Sequence, residues 1–486
     1  MQKDVVMSNA VQGVIFDMDN TLLATDKLAE IREQGLYRNM TEEQLKLAVV
    51  YKKTEVVLSK LREMKIPLAI VTNSPKDYAS QLLDFHNLAQ YFPVVISYGD
   101  VGAAGAKPSP KGIQMALKQM GLCASDNILY IGDDHRDFNA CYAAGIKPIA
   151  PAWGSNKKMT QMPAAVLSSE SFISELDDYD QIKLIAERCA HEKSFGIEKK
   201  QLYFAPLNLE GNIVALDRDE IDVACLGRYY SQGSVLMAGL HDAHSLSKEI
   251  VRKDHVKNYV MPEYFVDLLG HVVKELPKYL FNDELGFDII SVVPAKYGKN
   301  QRLENLLGRI GKKADISSTF IKDLFYFSEG AKSLKTLGAK ENRVEEINKN
   351  LKIKNKYKDL IEGKKILIID DVLTTGATLQ GTHSILTELK AERVFSIALA
   401  KTVSFSGELK ICPECSSTMN IRKPKGVRFW GCSGYFTEVK CTYTEEIKIR
   451  DCPDCQKPMY KKQNRRDQSY FVACSGYPKC RRTDSI

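Results

Sequence analysis

The chain has 486 residues, enough for about three domains at roughly 150 residues each. Hydrophobic residues make up 44% and charged residues 27%, ordinary values that exclude wholesale disorder. The net charge of +7 is unevenly placed. After residue 406 there are 16 basic and 9 acidic side chains, and before it 52 of each sign, so the whole excess sits in the last 80 residues. The cysteines are as uneven: of 12, eight lie between Cys412 and Cys480. No apolar run reaches the roughly 18 residues of a membrane span, and no basic stretch followed by an apolar one marks a secretory signal. A reducing cytoplasm is therefore expected, in which clustered cysteines read as metal ligands.

In chain order, residues 1–172 alternate short apolar runs with helical patterns. Gly13–Phe16, Ala69–Val71, Val94–Ser97 and Ile128–Ile131 read as buried parallel strands, and Glu42–Met64 and Lys76–Leu88 as amphipathic helices. This predicts a doubly wound α/β domain. Residues 173–192 read as a charged connector helix within a linker ending at 199. Residues 200–406 resume the α/β pattern, with apolar runs at Ile289–Val293, Lys365–Ile369 and Val394–Leu399, and predict a second doubly wound domain. Residues 330–358, rich in Lys, Glu and Asn, read as a mobile surface loop and helix. Two small β units, 407–446 and 447–486, follow as an internal duplication with a period of about 40 residues.

Asp17 and Asp19 stand just past the first strand, where an open α/β sheet forms its ligand crevice. A carboxylate there can accept a phosphoryl group, and a second carboxylate two residues on can serve as acid and then base. Later strands supply Thr72, Lys107, Asp133, Asp134 and Asp137. This ordered set, over about residues 10–155, resembles the haloacid-dehalogenase superfamily of phosphatases, and Ala143-Ala144-Gly145 and Trp153-Gly154 fit the same branch. The resemblance implies that Asp17 is the nucleophile and Asp19 the general acid/base, with Thr72 and Lys107 holding the transferring phosphate. It implies Mg²⁺ held by Asp17, Asp133 and Asp137, with the Asp19 backbone carbonyl contributing. Asp134 departs from the family, which often has a small polar residue there. Only about 50 residues separate Asp19 from Thr72, so the cap over the site is expected to be small. An open site favours a bulky phosphorylated substrate, or a neighbouring domain as lid.

Residues Ile366–Thr378 read as a strand, two carboxylates (Asp370, Asp371), a small-residue loop and a helix start. Loop N–H groups, the helix dipole and the hydroxyls of Thr374, Thr375 and Thr378 suit a phosphate, and Gly376 allows close backbone approach. Paired carboxylates suit vicinal hydroxyls. The segment resembles the phosphoribosyl-pyrophosphate (PRPP) signature of type I phosphoribosyltransferases, and the wider region is similar to competence-protein-F-like members. By that resemblance Asp370 and Asp371 bind the ribose hydroxyls and Thr374 to Thr378 the 5-phosphate. Lys296, in the turn after a strand, falls in the pyrophosphate-binding turn, and Lys332–Asn348 in the catalytic hood. Lys296, Lys299 or Arg302 would steady the leaving pyrophosphate. The family's Arg-Gly-Phe-Asn-Gln stretch is replaced by Lys299-Asn300-Gln301-Arg302. Transfer to an acceptor and simple ligand sensing both remain open.

Cys412, Cys415, Cys432 and Cys441, then Cys452, Cys455, Cys474 and Cys480, form two sets that each open with Cys-x2-Cys. Four thiolates at such spacing fit tetrahedral Zn²⁺, with iron–sulfur ligation as the alternative. The sets resemble the C-terminal zinc ribbons of bacterial type IA topoisomerases, which implies single-stranded nucleic-acid binding. Phe429, Trp430, Tyr435, Phe471 and Tyr477 are candidate stacking platforms. Arg422, Lys423, Lys425, Arg428, Lys461, Lys462, Arg465 and Arg466 are candidate phosphate contacts. His241 and His244 read as an exposed helix face before a metal pair, and Cys123, Cys141, Cys189 and Cys225 as small apolar residues. The expected whole is a bifunctional ribose-phosphate enzyme. It combines an Mg²⁺-dependent phosphatase with PRPP-dependent transfer, and carries two structural Zn²⁺ and a nucleic-acid-binding tail. Its partners are a phosphorylated small molecule, PRPP and single-stranded DNA or RNA. A PRPP-sensing nucleic-acid regulator and a phosphatase of nucleic-acid ends are the alternatives.

Overall fold

The computed structural model describes residues 11–153, 161–167, 172–174, 176, 183–196, 223–232, 235–281, 286–313, 315–331, 340–404, 412–415, 419–422, 429–432, 435, 440–464, 467 and 469–485. The chain forms two compact units, residues 1–229 with 244–403 and residues 230–243 with 404–486.

In the first unit, strands Gly13–Phe16 (β1), Leu68–Val71 (β4), Val94–Ile96 (β5), Ile128–Ile131 (β6), Lys147–Pro151 (β7) and Ala165–Leu167 (β8) make a parallel sheet in the order β5-β4-β1-β6-β7-β8. A hairpin of Leu23–Ala24 (β2) with Val49–Val50 (β3) stands apart from it. The four expected strands are all present. β1, β4 and β6 are buried along their whole length, because helices cover both faces and leave no side for polar residues. The order reverses around β1, so the crevice opens at its C-terminal end, beside Asp17. The helix expected over Glu42–Met64 is broken: Glu42–Leu45 and Thr54–Glu63 are helical, with β3 between them. Val49 and Val50 are β-branched and pair with β2, and Lys53 takes a left-handed conformation (φ 72°). Between β2 and β3 lie only short helical segments, among them Ala29–Glu33, so the cap is small.

The connector is not a solvated spacer. Its described helix, Ile185–Glu192, buries Ala186, Glu187, Cys189 and Ala190. Glu187 accepts from Arg228 Nε at 2.7 Å and Nη2 at 2.8 Å, and Arg228 Nη1 reaches the hydroxyl of Tyr142 in the first domain at 3.2 Å. Glu187 is 3% exposed, and Arg228 beside it holds its carboxyl far below the usual range against the opposing pull of burial. This buried pair links the two α/β domains through the connector helix. Residues 177–182 and 197–222 lie outside the described residues.

The second domain opens with Val223–Cys225 (β9) and Arg228–Tyr230 (β10). Strands Ile289–Val292 (β11), Thr319–Phe320 (β12), Lys365–Leu373 (β15) and Arg393–Val403 (β16) run parallel in the order β12-β11-β15-β16, and β9 also pairs with β16. The stretch expected to be mobile is in good part packed. Phe325–Phe327 (β13) pairs antiparallel with Leu351–Ile353 (β14), and the Lys340–Asn350 helix buries Ile347. Gly381 is needed beneath it, because a Cβ there would lie 2.4 Å from Ile347 Cγ2. Residues 332–339 of the hood lie outside the described residues.

In the second unit, Met419–Arg422 (β17), Phe429–Cys432 (β18) and Thr444–Glu446 (β19) form one antiparallel sheet. Lys448–Asp451 (β20), Pro458–Gln463 (β21), Tyr470–Cys474 (β22) and Thr483–Ser485 (β23) form another. Their buried residues are mainly the cysteines themselves, with Met419 in the first and Met459 and Val472 in the second. Cores this small need a further source of stability. No described helix is long and apolar enough to cross a membrane.

Candidate active sites and metal centres

The first crevice gathers residues from three strand ends. Asp17 follows β1 and its N–H donates to Ile131 O of β6 at 2.8 Å. Lys107 Nζ donates to Asp17 Oδ1 at 2.7 Å, to Asp137 Oδ1 at 2.6 Å and to the Tyr130 hydroxyl at 3.0 Å. The Asn73 side chain fixes the lysine's backbone, accepting from Lys107 N at 2.8 Å and donating to Lys107 O at 3.0 Å. Ligand oxygens of Asp17, Asp133 and Asp137 lie within 4.8 Å of one another, and all three residues are buried. Gly132 permits this closeness, since a Cβ there would meet Asp137 Oδ2 at 2.6 Å. Asp134 turns away from the cluster. It is the N-cap of the His135–Ala144 helix, accepting from Arg136 N at 2.8 Å, while Asp137 Oδ2 accepts from Asp134 N at 3.1 Å.

Asp19 is held separately. Its carboxylate accepts from Ser74 Oγ at 2.6 Å, Thr25 Oγ1 at 2.8 Å and the Tyr78 hydroxyl at 3.1 Å, and pairs with Arg32 of the cap at 2.9 Å. Thr72 is buried between the two groups, with Oγ1 3.4 Å from Asp19 Oδ2. With its carboxylate so engaged, any part of Asp19 in holding a metal falls to its backbone carbonyl. Trp153 Nε1 donates to Thr21 O at 3.2 Å behind the site, and Gly154 lies outside the described residues.

The charges fit a divalent cation. Three buried carboxylates cluster here, and two of them, Asp17 and Asp137, pair with the Lys107 ammonium. Burial pushes the Asp17 carboxyl well above its usual range, Lys107 pulls it down, and Asp137, Asp133 and Asp19 push it up again. Hard oxygen ligands in such a cluster suit Mg²⁺.

The second crevice lies at the C-terminal ends of β11 and β15. Asp370 and Asp371 follow the continuously buried run Ile366–Ile369 of β15, and Gly376 (φ 79°) caps the Ala377–Glu388 helix. Thr374 and Thr375 are exposed at that helix N-terminus, with Thr378 in its first turn. Asp371 is buried, and its Oδ2 accepts from Arg302 Nε at 2.7 Å, Arg302 Nη2 at 2.5 Å and Lys253 Nζ at 2.8 Å. These cations hold the Asp371 carboxyl far below its usual range against the opposing effect of burial. Burial and the neighbouring Asp371 push Asp370 up to about 7. Lys296 lies in the expected turn, with its ammonium 5.2 Å from the Phe327 ring centre. Arg302, one of three candidates for the pyrophosphate, donates to Asp371. Lys253 carries no local motif and was not among the expected residues.

In the tail the eight cysteines form two clusters of four, each with sulfurs within 4.8 Å. Cys412–Cys441 and Cys415–Cys432 sulfurs are 3.7 and 3.3 Å apart, and Cys452–Cys480 and Cys455–Cys474 sulfurs 3.7 and 3.4 Å. Tetrahedral Zn²⁺ with Zn–S bonds of about 2.3 Å requires sulfurs about 3.8 Å apart, so both clusters fit it. Tyr435 and Tyr477 are exposed, while Trp430 packs on the first cluster. Lys423, Lys425, Arg428, Arg465 and Arg466 lie outside the described residues. His241 and His244 are not an exposed face: His241 is buried with Nδ1 2.8 Å from Tyr230 O, and His244 N-caps the Ser245–His255 helix. Cys141, Cys189 and Cys225 are buried as expected, and Cys123 is exposed.

Known proteins resemble the chain piecewise. The haloacid dehalogenase-like hydrolase family matches residues 29–150, the phosphoribosyl transferase domain residues 306–420, and the topoisomerase DNA binding C4 zinc finger residues 410–448 and 449–486. A phosphoglycolate phosphatase of Pseudomonas savastanoi pv. phaseolicola is 32% identical over 129 residues, covering 26% of this chain and 46% of that protein. One from Escherichia coli K12 is 34% identical over 99 residues, covering 20% and 38%. The chain thus spans less than half the length of these curated relatives. A HAD-superfamily hydrolase structure from Ehrlichia chaffeensis is 23% identical, with 36% of this chain and 98% of that one aligned and a TM-score of 0.27. The chain therefore joins, in order, a haloacid dehalogenase-like hydrolase domain, a phosphoribosyltransferase domain and two topoisomerase-type C4 zinc ribbons.

Proposed function

We propose that the first domain is an Mg²⁺-dependent phosphomonoesterase working through an aspartyl phosphate on Asp17. The convergence of Lys107 with Asp17, Asp133 and Asp137 carries this reading. Those three carboxylates would hold Mg²⁺, which would supply positive charge to the transferring phosphoryl oxygens. An Asp17 oxygen attacks phosphorus, the ester P–O bond breaks, and Asp19, entering this step protonated, gives its proton to the leaving oxygen. Asp19, now a carboxylate, takes a proton from water as that water attacks phosphorus, which releases phosphate and restores Asp17. Lys107 fixes the nucleophile's orientation and offsets its charge. The small cap leaves room for substrates larger than phosphoglycolate, the compound in the relatives' names.

The second domain, on this reading, binds 5-phosphoribosyl compounds, with the phosphate on the Thr374–Thr378 loop and the ribose hydroxyls beside Asp370. The ribbons hold Zn²⁺ and bind single-stranded nucleic acid by stacking and phosphate contacts. Phosphoribosyl transfer followed by phosphate removal would be consecutive steps on one ribosyl phosphate. Phosphate release from phosphoglycolate and from nucleoside 5′-monophosphates tests the first assignment. Wild type with Mg²⁺ should turn over at least one, and Asp17→Asn should lose about 10³-fold or more. Retained turnover in Asp17→Asn removes Asp17 as nucleophile.

A further inference from the structure

The turn after β11 directs a backbone N–H at an anion, and that anion is a side chain of the next helix. β11 ends at Val292, and Val293 N–H donates to Ile369 O of β15 at 3.0 Å, which fixes the turn beside the Asp370–Asp371 pair. Two residues later the N–H of Ala295 points at a carboxylate. It donates to Glu304 Oε1 at 2.6 Å, from the first turn of the Arg302–Lys313 helix. The other oxygen, Glu304 Oε2, is buried and has no hydrogen-bond partner. A backbone N–H on such a turn is what a diphosphate oxygen would take. Here a negative side chain holds it, with its second oxygen desolvated at the same place.

Arg302 offsets part of this charge through space, while it and Lys253 both bind Asp371 Oδ2. The Lys296 ammonium lies over the Phe327 ring. The other half of the site contrasts with it. Thr374 and Thr375 are exposed at the N-terminus of a 12-residue helix, with Gly376 in the left-handed conformation that turns the chain into it. The Thr374–Thr375 end is exposed, while the Ala295 N–H is held by a carboxylate.

We propose that Glu304 fills the diphosphate subsite of the second domain. The resting protein then favours ribose 5-phosphate esters, the class that includes nucleoside 5′-monophosphates, over the 1-diphosphate sugar. This rests on the reading of Asp370–Thr378 as a 5-phosphoribosyl site. A diphosphate must displace the carboxylate or lie against it, and like charges at contact distance in a partly buried site are unfavourable. The site is then suited to holding the product or a ribosyl phosphate ligand, close in sequence to a phosphatase able to consume that class.

Calorimetric titration of the full chain with ribose 5-phosphate and with PRPP, both with Mg²⁺, tests this in wild type, Glu304→Gln and Glu304→Ala. Gln keeps an acceptor for Ala295 N–H and guards against a folding artefact. Wild type should bind ribose 5-phosphate at least as tightly as PRPP. Both variants should gain about tenfold for PRPP and change by less than about twofold for ribose 5-phosphate. Wild type that prefers PRPP, together with variants that weaken it, would make Glu304 part of the diphosphate site and overturn the proposal. Wild type that binds neither ligand overturns the underlying 5-phosphoribosyl reading, and the proposal with it.

Discussion

The two crevices both present buried carboxylates at the ends of parallel strands, but they balance their charge differently. In the first, Asp17, Asp133 and Asp137 cluster, and the Lys107 ammonium pairs with Asp17 and Asp137. In the second, Asp370 and Asp371 face two cations, Lys253 and Arg302, which both bind one oxygen of Asp371. The first arrangement leaves negative charge for a divalent cation to meet. In the second, the protein's own cations already meet Asp371. Two similar sheets thus differ in charge balance: one gathers carboxylates fit to hold a metal ion, and the other pairs one of its two carboxylates with the protein's own cations.

Removing a cation from each site separates these cases. Lys107→Met takes the paired ammonium from buried Asp17 and Asp137 and should cost ~3–5 kcal/mol in urea unfolding of the full chain. Mg²⁺ should recover part of that loss. Lys253→Met leaves Arg302 on Asp371 and should cost about 1–3 kcal/mol, with no recovery by Mg²⁺. Equal losses, or equal responses to Mg²⁺, would erase the contrast.

A smaller effect concerns pH. Burial and Asp371 push the Asp370 carboxyl up to about 7. The ionised form accepts ribose hydroxyls, so ribose 5-phosphate should bind several-fold tighter as pH rises through about 7. The folded chain also keeps a proton on Asp370 that the unfolded chain releases at lower pH. This group's contribution to stability therefore falls as pH climbs from roughly 4 to about 7. Asp370→Asn should flatten the binding profile. A profile unchanged by that substitution would place the titration elsewhere.

Much of this was legible in the sequence, for reasons that differ by residue. The strands at Gly13–Phe16 and Ile128–Ile131 announce themselves as continuous apolar runs because the sheet is covered on both faces. Asp17 and Asp133 follow directly, since a strand end fixes where the next residue stands. The cysteine spacing carries the ribbons in the same way. What stayed hidden is held by distant pairs. Lys253 meets Asp371 across 118 residues, and Arg228 meets Glu187 across 41, and neither leaves a local pattern. Tyr130 sat in view within an aliphatic strand, where its hydroxyl was the one polar signal; it lies against both Lys107 and Asp137. Asp134 read as a departure from a family pattern, and its role is local: it caps a helix. The connector's charge pattern suggested exposure, but Glu187 is buried because Arg228 compensates it.

The account rests most on Asp17 as a phosphorylated nucleophile. Its direct test is to incubate the full chain with Mg²⁺ and a labelled phosphomonoester, quench in acid, and map the label by peptide mass spectrometry. The account predicts a hydroxylamine-sensitive phosphoryl group on Asp17, absent without Mg²⁺ and absent in Asp17→Asn. Steady turnover with no label on Asp17, or with label on another residue, would contradict it.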